Sequence, residues 1–146
     1  VALKLFGPIM RREELKRITG NSFYVLGLFV VTAVFPKPIV ILAVLYLAIG
    51  DPIAALVGTS WGKHRLIGKK SVEGALANFV ATSVATYLVG NHYFHLDWEK
   101  ALGFSVMGGM VSVVAELCPA PFDDNFTIPV ASACLLSVVQ LFFPFF

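Results

Sequence analysis

Residues 50–74 read GDPIAALVGTSWGKHRLIGKKSVEG, and they place an acid, Asp51, inside a long apolar run that ends in glycines and lysines. A second acid, Glu73, begins the next apolar run. A charged side chain is costly inside a bilayer, so an intramembrane Asp indicates a functional site by default. The stretch therefore predicts an anion-and-metal site at one face of a small membrane protein.

The composition places the chain among integral membrane proteins. Of its 146 residues, 58% are hydrophobic and only 14% are charged, and the mean hydropathy is +0.82. Uncharged stretches reach the roughly 20 residues that a helix needs to cross about 30 Å of hydrocarbon. We therefore predict an all-α, multi-pass helix bundle in the membrane.

Five apolar spans are expected, over residues 18–35, 38–62, 71–90, 101–116 and 126–146. The second span is interrupted at Gly50-Asp51-Pro52, where Asp can cap a helix and Pro can occupy its first position. Two half-helices are therefore expected in one crossing. Ser71 is a natural N-cap for the third span, and Glu73 lies in its first turn, where the helix dipole favours an acid.

The chain divides into two predicted regions. Residues 1–17 are expected to form a basic amphipathic segment at the lipid headgroups, and residues 18–146 the transmembrane domain that carries the site. Because the chain begins with Val1 rather than Met, we expect a fragment of a longer protein. Five spans make a thin bundle, so further N-terminal helices or a homodimer are alternatives for completing a lipid groove.

The loops divide unequally between the two sides of the membrane. Five spans put residues 1–17, the 61–70 loop and the 117–125 loop on one side, together with 9 of the 11 Lys and Arg residues. The positive-inside rule makes this side cytoplasmic. Most acids collect there too, although the rule does not require it, and Asp51 lies on the span that returns to this side. A cytoplasm-facing site is therefore expected.

Clustered carboxylates and lysines indicate phosphate chemistry. Carboxylates repel one another unless a cation lies among them, and Mg²⁺ bridges protein acids and substrate phosphates. Lysines beside glycine-rich backbone suit the phosphates themselves. These residues favour a nucleoside triphosphate bound at the membrane surface, although neither the Walker pattern nor a protein-kinase loop is present. A small transporter or a structural bundle is the alternative.

Two motifs resemble those of the CTP-dependent lipid kinase superfamily, which includes dolichol kinase, the yeast-type diacylglycerol kinase and the phytol and farnesol kinases of plants. The first is Asp51-x-x-Ala54-x-x-x-Gly58-x-x-x-Gly62-Lys63, followed by Lys70-Ser71-x-Glu73-Gly74. The second is Glu116 followed by Asp123-Asp124-Asn125. Phosphatidate cytidylyltransferases share the first motif loosely, and the Asp-Asp-Asn motif favours the kinases.

The resemblance implies a Mg²⁺-dependent enzyme that uses CTP to phosphorylate a lipid alcohol entering from the bilayer, giving the lipid monophosphate and CDP. A cytidylyltransferase that forms a CDP-lipid is the alternative. The acceptor is left open among a polyprenol, diacylglycerol, phytol and a glycerol ether. The membrane, the nucleotide and the lipid are the expected partners, and no nucleic acid is expected.

The resemblance also assigns roles to individual residues. The catalytic residues would be Asp51, Lys70 and Glu73. The metal ligands would be Asp51, Glu73, Glu116, Asp123 and Asp124, and which acid is base and which are ligands stays open. The nucleotide would be bound by Gly58, Gly62, Lys63, Lys69, Lys70, Ser71, Gly74, Asn78 and Asn125. For Asn78, an interhelical hydrogen bond is an equal alternative.

Overall fold

The computed structural model describes residues 20–144, which form five helices joined by short loops. The helices are α1 (Gly20–Val34), α2 (Lys37–Ser60), α3 (Val72–His92), α4 (Trp98–Leu117) and α5 (Asp124–Phe142). This confirms the predicted all-α bundle. The expected amphipathic segment over residues 1–17 lies outside the described residues.

Four of the five helices, α2 to α5, are long and apolar enough to cross a membrane. Helix α1 has 15 residues over its described length, which corresponds to about 22 Å. Large apolar side chains such as Val25, Phe29, Leu56 and Leu141 are exposed on the outside of the bundle. Such a surface suits lipid rather than water, as in a multi-pass integral membrane protein.

An apolar core joins four helices away from the loops that carry most of the charges. Val31 of α1, Leu42 of α2, Phe104 of α4 and Leu136 of α5 are all buried in one cluster. The ring of Tyr46 belongs to the same cluster, and its hydroxyl group hydrogen-bonds the Thr86 hydroxyl group of α3 at 3.0 Å. This hydrogen bond satisfies the polar end of an otherwise apolar side chain.

Helix α2 contains a π-helical turn immediately before Asp51. Its first part, Lys37–Leu45, is α-helical, Tyr46–Gly50 forms the π turn, and Asp51–Ser60 is α-helical again. The Asp51 N–H donates to the Tyr46 carbonyl, five residues back. Pro52 has no N–H to donate to the preceding turn and its ring crowds that turn, so a wider turn relieves the clash.

The predicted irregularity of the second span at Gly50-Asp51-Pro52 is therefore confirmed, but the expected form, a pair of half-helices, is wrong. The interruption is a π turn inside one continuous helix, because Gly50 keeps helical backbone angles of φ −63° and ψ −55°. No side-chain hydrogen bond caps the helix that follows. The predicted N-cap of α3 is confirmed, since the Gly74 N–H donates to Ser71 Oγ at 3.1 Å.

Glycines bring α2, α3 and α4 into close contact around the π turn. A Cβ atom on Gly50 would lie 2.5 Å from Asn78 Oδ1 and 3.0 Å from Ser112 Oγ. A Cβ atom on Gly108 of α4 would overlap the Tyr46 hydroxyl group. Small residues at these positions let the helix backbones approach each other, as is typical of membrane bundles.

The two ends of the bundle carry the loops that the five-span topology predicts. Lys70 lies 3.3 Å from Asp124, so the loop before α3 and the start of α5 share one end. At the other end, the Lys37 ammonium group lies 6.0 Å from the centre of the Tyr93 ring. The predicted grouping of these loops is confirmed, and the assignment of one end to the cytoplasm stays a prediction.

A matched pair of glycine substitutions in α4 tests this packing. We expect Gly108→Ala to lower the free energy of unfolding by about 2 kcal/mol, because its methyl group would overlap Tyr46 and Thr86. Gly103→Ala should leave stability unchanged or raise it by up to about 1 kcal/mol, because nothing lies within 4 Å of a Cβ atom there. Thermal unfolding in detergent measures both, and equal melting temperatures would contradict the packing argument.

Candidate functional site

A cavity of about 240 Å³ lies at the end of the bundle where the 61–71 loop is found. Its walls come from the second half of α2, from this loop, and from the adjoining ends of α3, α4 and α5. The structure brings these predicted residues together around it: Asp51, Gly58, Lys69, Lys70, Ser71, Gly74, Glu116 and Asp124. Ala54, Ala55 and Thr59 of α2 complete the lining and were not predicted.

Asp51 lies on the inner part of the cavity. Its neighbour Gly50 contacts Asn78, which is seven residues beyond Ser71 and so about 10 Å into α3. Within residues 20–144, no hydrogen bond or ion pair holds the Asp51 carboxylate. Its charged neighbours include Asp124 and Lys70. A half-buried carboxylate of this kind is available to a ligand.

Lys70 ties the loop to the ends of two other helices. Its ammonium group donates to the main-chain carbonyl of Glu116 and lies 3.3 Å from both carboxylate oxygens of Asp124. It therefore places a positive charge in a cavity that the carboxylates of Asp51, Glu116 and Asp124 also line. Lys69, next to it, is exposed and also lines the cavity.

A buried network of hydrogen bonds holds the side chain of Glu116. Its Oε2 accepts from Asn78 Nδ2 at 2.6 Å, and Asn78 Oδ1 accepts from Ser112 Oγ at 2.8 Å. All three side chains are buried. Asn78 thus makes the interhelical hydrogen bond that was one of its two alternatives, and this bond reaches the cavity through Glu116. Its role in nucleotide binding stays a prediction.

Ser112 is a residue of this network that sequence reasoning missed. It lies four residues before Glu116, so both share one face of α4. Thr82 lies four residues after Asn78 and donates to its carbonyl at 2.7 Å. Polar residues at a spacing of four inside apolar runs were the signal that could have identified the network.

The other predicted residues lie outside the cavity lining. Asp123 caps α5 and accepts from the Asn125 N–H at 3.0 Å and from its side-chain amide at 2.7 Å. Gly62 packs against Ser71, and Lys63 is exposed on the loop. Glu73 is hydrogen-bonded to His64. The roles in metal and nucleotide binding proposed for these residues stay predictions.

Carboxylates of the cavity fit a metal ion that arrives with a phosphate ligand. Among residues 20–144, no three His, Cys, Asp or Glu side chains are arranged to hold a metal ion by themselves. Mg²⁺ usually takes only one or two protein carboxylates and completes its coordination with water and substrate phosphates. Asp51 and Asp124 line the same cavity and offer the oxygen donors that this mode needs.

Fold and site together define a multi-pass membrane protein with a charged cavity at one end of the bundle. A model of the cytidylyltransferase family matches residues 12–122, well over half of the chain. The chain therefore belongs to the cytidylyltransferase family.

Three similar proteins have names that state an enzymatic activity. The chain is 32% identical to the CTP-dependent diacylglycerol kinase 1 of Schizosaccharomyces pombe, over 94% of the chain and 67% of that protein. It is 32% identical to a probable chloroplastic phytol kinase of Triticum aestivum, over 84% of the chain and 44% of the plant protein. The CTP-dependent diacylglycerol kinase 1 of Saccharomyces cerevisiae is 25% identical, over 91% of the chain and 52% of that protein.

These matches confirm the predicted resemblance to the CTP-dependent lipid kinases. The chain spans between 44% and 67% of the length of the three relatives. No solved structure matches the chain significantly.

Substitution of Asn78 tests the buried network. We expect Asn78→Ala to lower the free energy of unfolding by about 2 kcal/mol, because it removes the donor to Glu116 and the acceptor for Ser112. Asn91→Ala, in the last turn of the same helix, is the matched control. Thermal unfolding of the two variants in detergent makes the comparison. A control that loses as much stability as Asn78→Ala would show that the network contributes nothing specific.

Proposed function

We propose that this protein transfers the γ-phosphoryl group of CTP to the hydroxyl group of a membrane lipid alcohol, releasing the lipid monophosphate and CDP. The observation that carries the proposal is the convergence of Asp51, Lys70, Glu116 and Asp124 on one cavity from separate segments of the chain. Phosphoryl transfer mainly requires positioning and neutralisation of charge, and these side chains supply both. The named relatives support CTP as the donor.

The triphosphate would bind against the loop and the start of α3. Lys69 and Lys70 supply positive charge, and Gly58 and Gly74 leave room for close approach of the phosphates to the backbone. When the nucleotide binds, the ion pair between Lys70 and Asp124 would weaken, because the Lys70 ammonium group would also interact with the more highly charged phosphates. The names of the relatives, rather than any residue of the cavity, support CTP as the donor.

The acceptor alcohol would enter from the side of the bundle. Ala55, Leu56 and Thr59 are exposed on α2, and Ala55 and Thr59 also line the cavity, so this wall lies between the site and the lipid. The hydroxyl group would reach Asp51, whose carboxylate has no partner within residues 20–144. Asp51 accepts the hydroxyl proton while the new O–P bond forms and the bond between the β- and γ-phosphates of CTP breaks.

Mg²⁺ bound with the nucleotide would neutralise phosphate charge beside Asp51 and Asp124. Glu116 is fixed by Asn78 and is therefore suited to orienting water or metal ligands rather than to moving a proton.

The site would face the cytoplasm, where CTP is available. The loop end of the described bundle carries Lys63, Arg65, Lys69 and Lys70, whereas Lys37 and Lys100 lie at the other end. This distribution agrees with the positive-inside rule.

A second candidate function is the formation of a CDP-lipid, which the description of the family favours. That reaction would transfer the cytidylyl group to a lipid phosphate and release pyrophosphate. Incubation of the purified protein with labelled CTP and Mg²⁺ separates the two functions. CDP with a lipid monophosphate supports the kinase, and pyrophosphate with a CDP-lipid supports the alternative. The acceptors to be compared are diacylglycerol, a polyprenol, phytol and a glycerol ether.

Asp51→Asn tests the central residue of the proposed mechanism. We expect kcat to fall at least about 1,000-fold, because Asn cannot accept the hydroxyl proton and is a weaker metal ligand. The melting temperature should stay close to that of the native protein, since no hydrogen bond within residues 20–144 is made by the Asp51 carboxylate. Asp97→Asn, at the other end of the bundle, is the control and should keep full activity. An Asp51→Asn variant with normal turnover would remove Asp51 from the mechanism.

A further inference from the structure

We infer that Glu73 is a positioning residue: it clamps the loop that presents Lys69 and Lys70 to the cavity. The loop in question is residues 64–71, called the lysine loop below. This inference rests on the proposed function in one respect, since the loop is taken to bind the triphosphate. It departs from the roles in catalysis and metal binding that the sequence motif implies for Glu73.

The carboxylate of Glu73 is directed to the base of the lysine loop. Its Oε1 lies 2.8 Å from His64 Nδ1, and both of its oxygens lie 3.3 Å from the His64 main-chain nitrogen. The side chain of Glu73 is 25% exposed and is absent from the lining of the cavity. Its carboxylate thus bonds chiefly to His64, on the loop side of the helix.

The lysine loop is a small hairpin closed at the same point. The Val72 N–H donates to the His64 carbonyl at 2.9 Å, and the Leu66 N–H donates to the Lys70 carbonyl at 2.9 Å. An isolated antiparallel bridge joins Arg65 to Ser71. Gly68 forms the tip with φ +58°, a left-handed conformation that favours glycine.

Glu73 closes this hairpin from outside it. The His64 carbonyl accepts from the Val72 N–H, and the main-chain N–H and imidazole ring of His64 contact the Glu73 carboxylate. His64 is thus attached to the start of α3 through its main chain and its side chain. The other strand of the hairpin carries Lys70, which reaches Glu116 and Asp124. Release of His64 would therefore loosen the segment that positions the lysines.

The hydrogen-bond donors of His64 and the dipole of α3 explain why an acidic residue is suited to position 73. The main-chain N–H and the imidazole ring of His64 can both donate, and a carboxylate accepts two or more hydrogen bonds at once. Glu73 also lies in the first turn of α3, where the helix dipole favours a negative charge. Gln would keep one carbonyl oxygen as an acceptor, so it should preserve part of the clamp, whereas Ala removes it.

Kinetics with CTP separate a clamp from a metal ligand or base. If Glu73 positions the lysine loop, Glu73→Ala should raise KM for CTP about tenfold with a smaller change in kcat, since the loop must be ordered when the nucleotide binds. Glu73→Gln should recover part of this loss. His64→Ala should raise KM about threefold, because one of the two donors remains in the main chain. Glu99→Ala and His92→Ala, both at the opposite end, are the matched controls and should have no effect.

Limited proteolysis tests the clamp without any need for activity. Trypsin cleaves after Lys and Arg, and the segment from Lys63 to Lys70 offers four such sites. We expect cleavage there to be about tenfold faster in Glu73→Ala than in the native protein, because local opening of the hairpin becomes more frequent. Glu73→Gln and His64→Ala should lie between these two, and both controls should match the native rate.

Two results would overturn the inference. An unchanged rate of tryptic cleavage in Glu73→Ala would show that no clamp exists, whatever the kinetics. Equal losses of kcat in Glu73→Gln and Glu73→Ala, with His64→Ala fully active, would make Glu73 a catalytic residue or metal ligand. A native protein without turnover of CTP would overturn the proposed function instead, and the cleavage rates would still decide on the clamp.

Discussion

The close approach of three helices around Gly50 is the contact on which the site depends. Asn78 and Ser112 lie so near to Gly50 that a single methyl group would not fit between them. The π turn that ends at this residue places Asp51 beside the adjoining ends of α3, α4 and α5. Because the same contact also holds Asn78 against Glu116, the packing of α2 and the orientation of a cavity acid are set together.

The charged side chains of the cavity differ in the partners that they have. Lys70 and Asp124 pair with each other, and Glu116 receives a hydrogen bond from a buried amide. Asp51 has neither kind of partner within residues 20–144. An ionisable side chain inside a membrane bundle costs free energy and is therefore a candidate for a functional role. The cavity thus combines paired or hydrogen-bonded groups with one acid that has no such partner in the described residues, which suits the role proposed for Asp51.

Sequence reasoning predicted the shared end of the bundle, most of the cavity lining and the capping of α3 by Ser71. It also expected two half-helices at Asp51, which is wrong, and it placed Glu73 among the metal ligands, which stays a prediction. The error at Asp51 arose because a Gly-Asp-Pro sequence often marks the boundary between two helices, whereas a π turn can absorb the clash that Pro causes. The position of Glu73 in the motif says nothing about which way its carboxylate points, and the structure directs it to His64.

The sequence by itself determined how many helices residues 20–144 form, their order and the end at which the charges collect, because apolar length and charge are properties of consecutive residues. Only the tertiary structure decided which polar side chains meet. Asn78 and Ser112 are 34 residues apart in sequence, and Lys70 and Asp124 are 54 residues apart. Contacts of this kind depend on how each helix is rotated about its axis and how far it is shifted along the bundle. Glycines such as Gly50 set this arrangement because they let the helix backbones approach closely, and not through a side chain of their own.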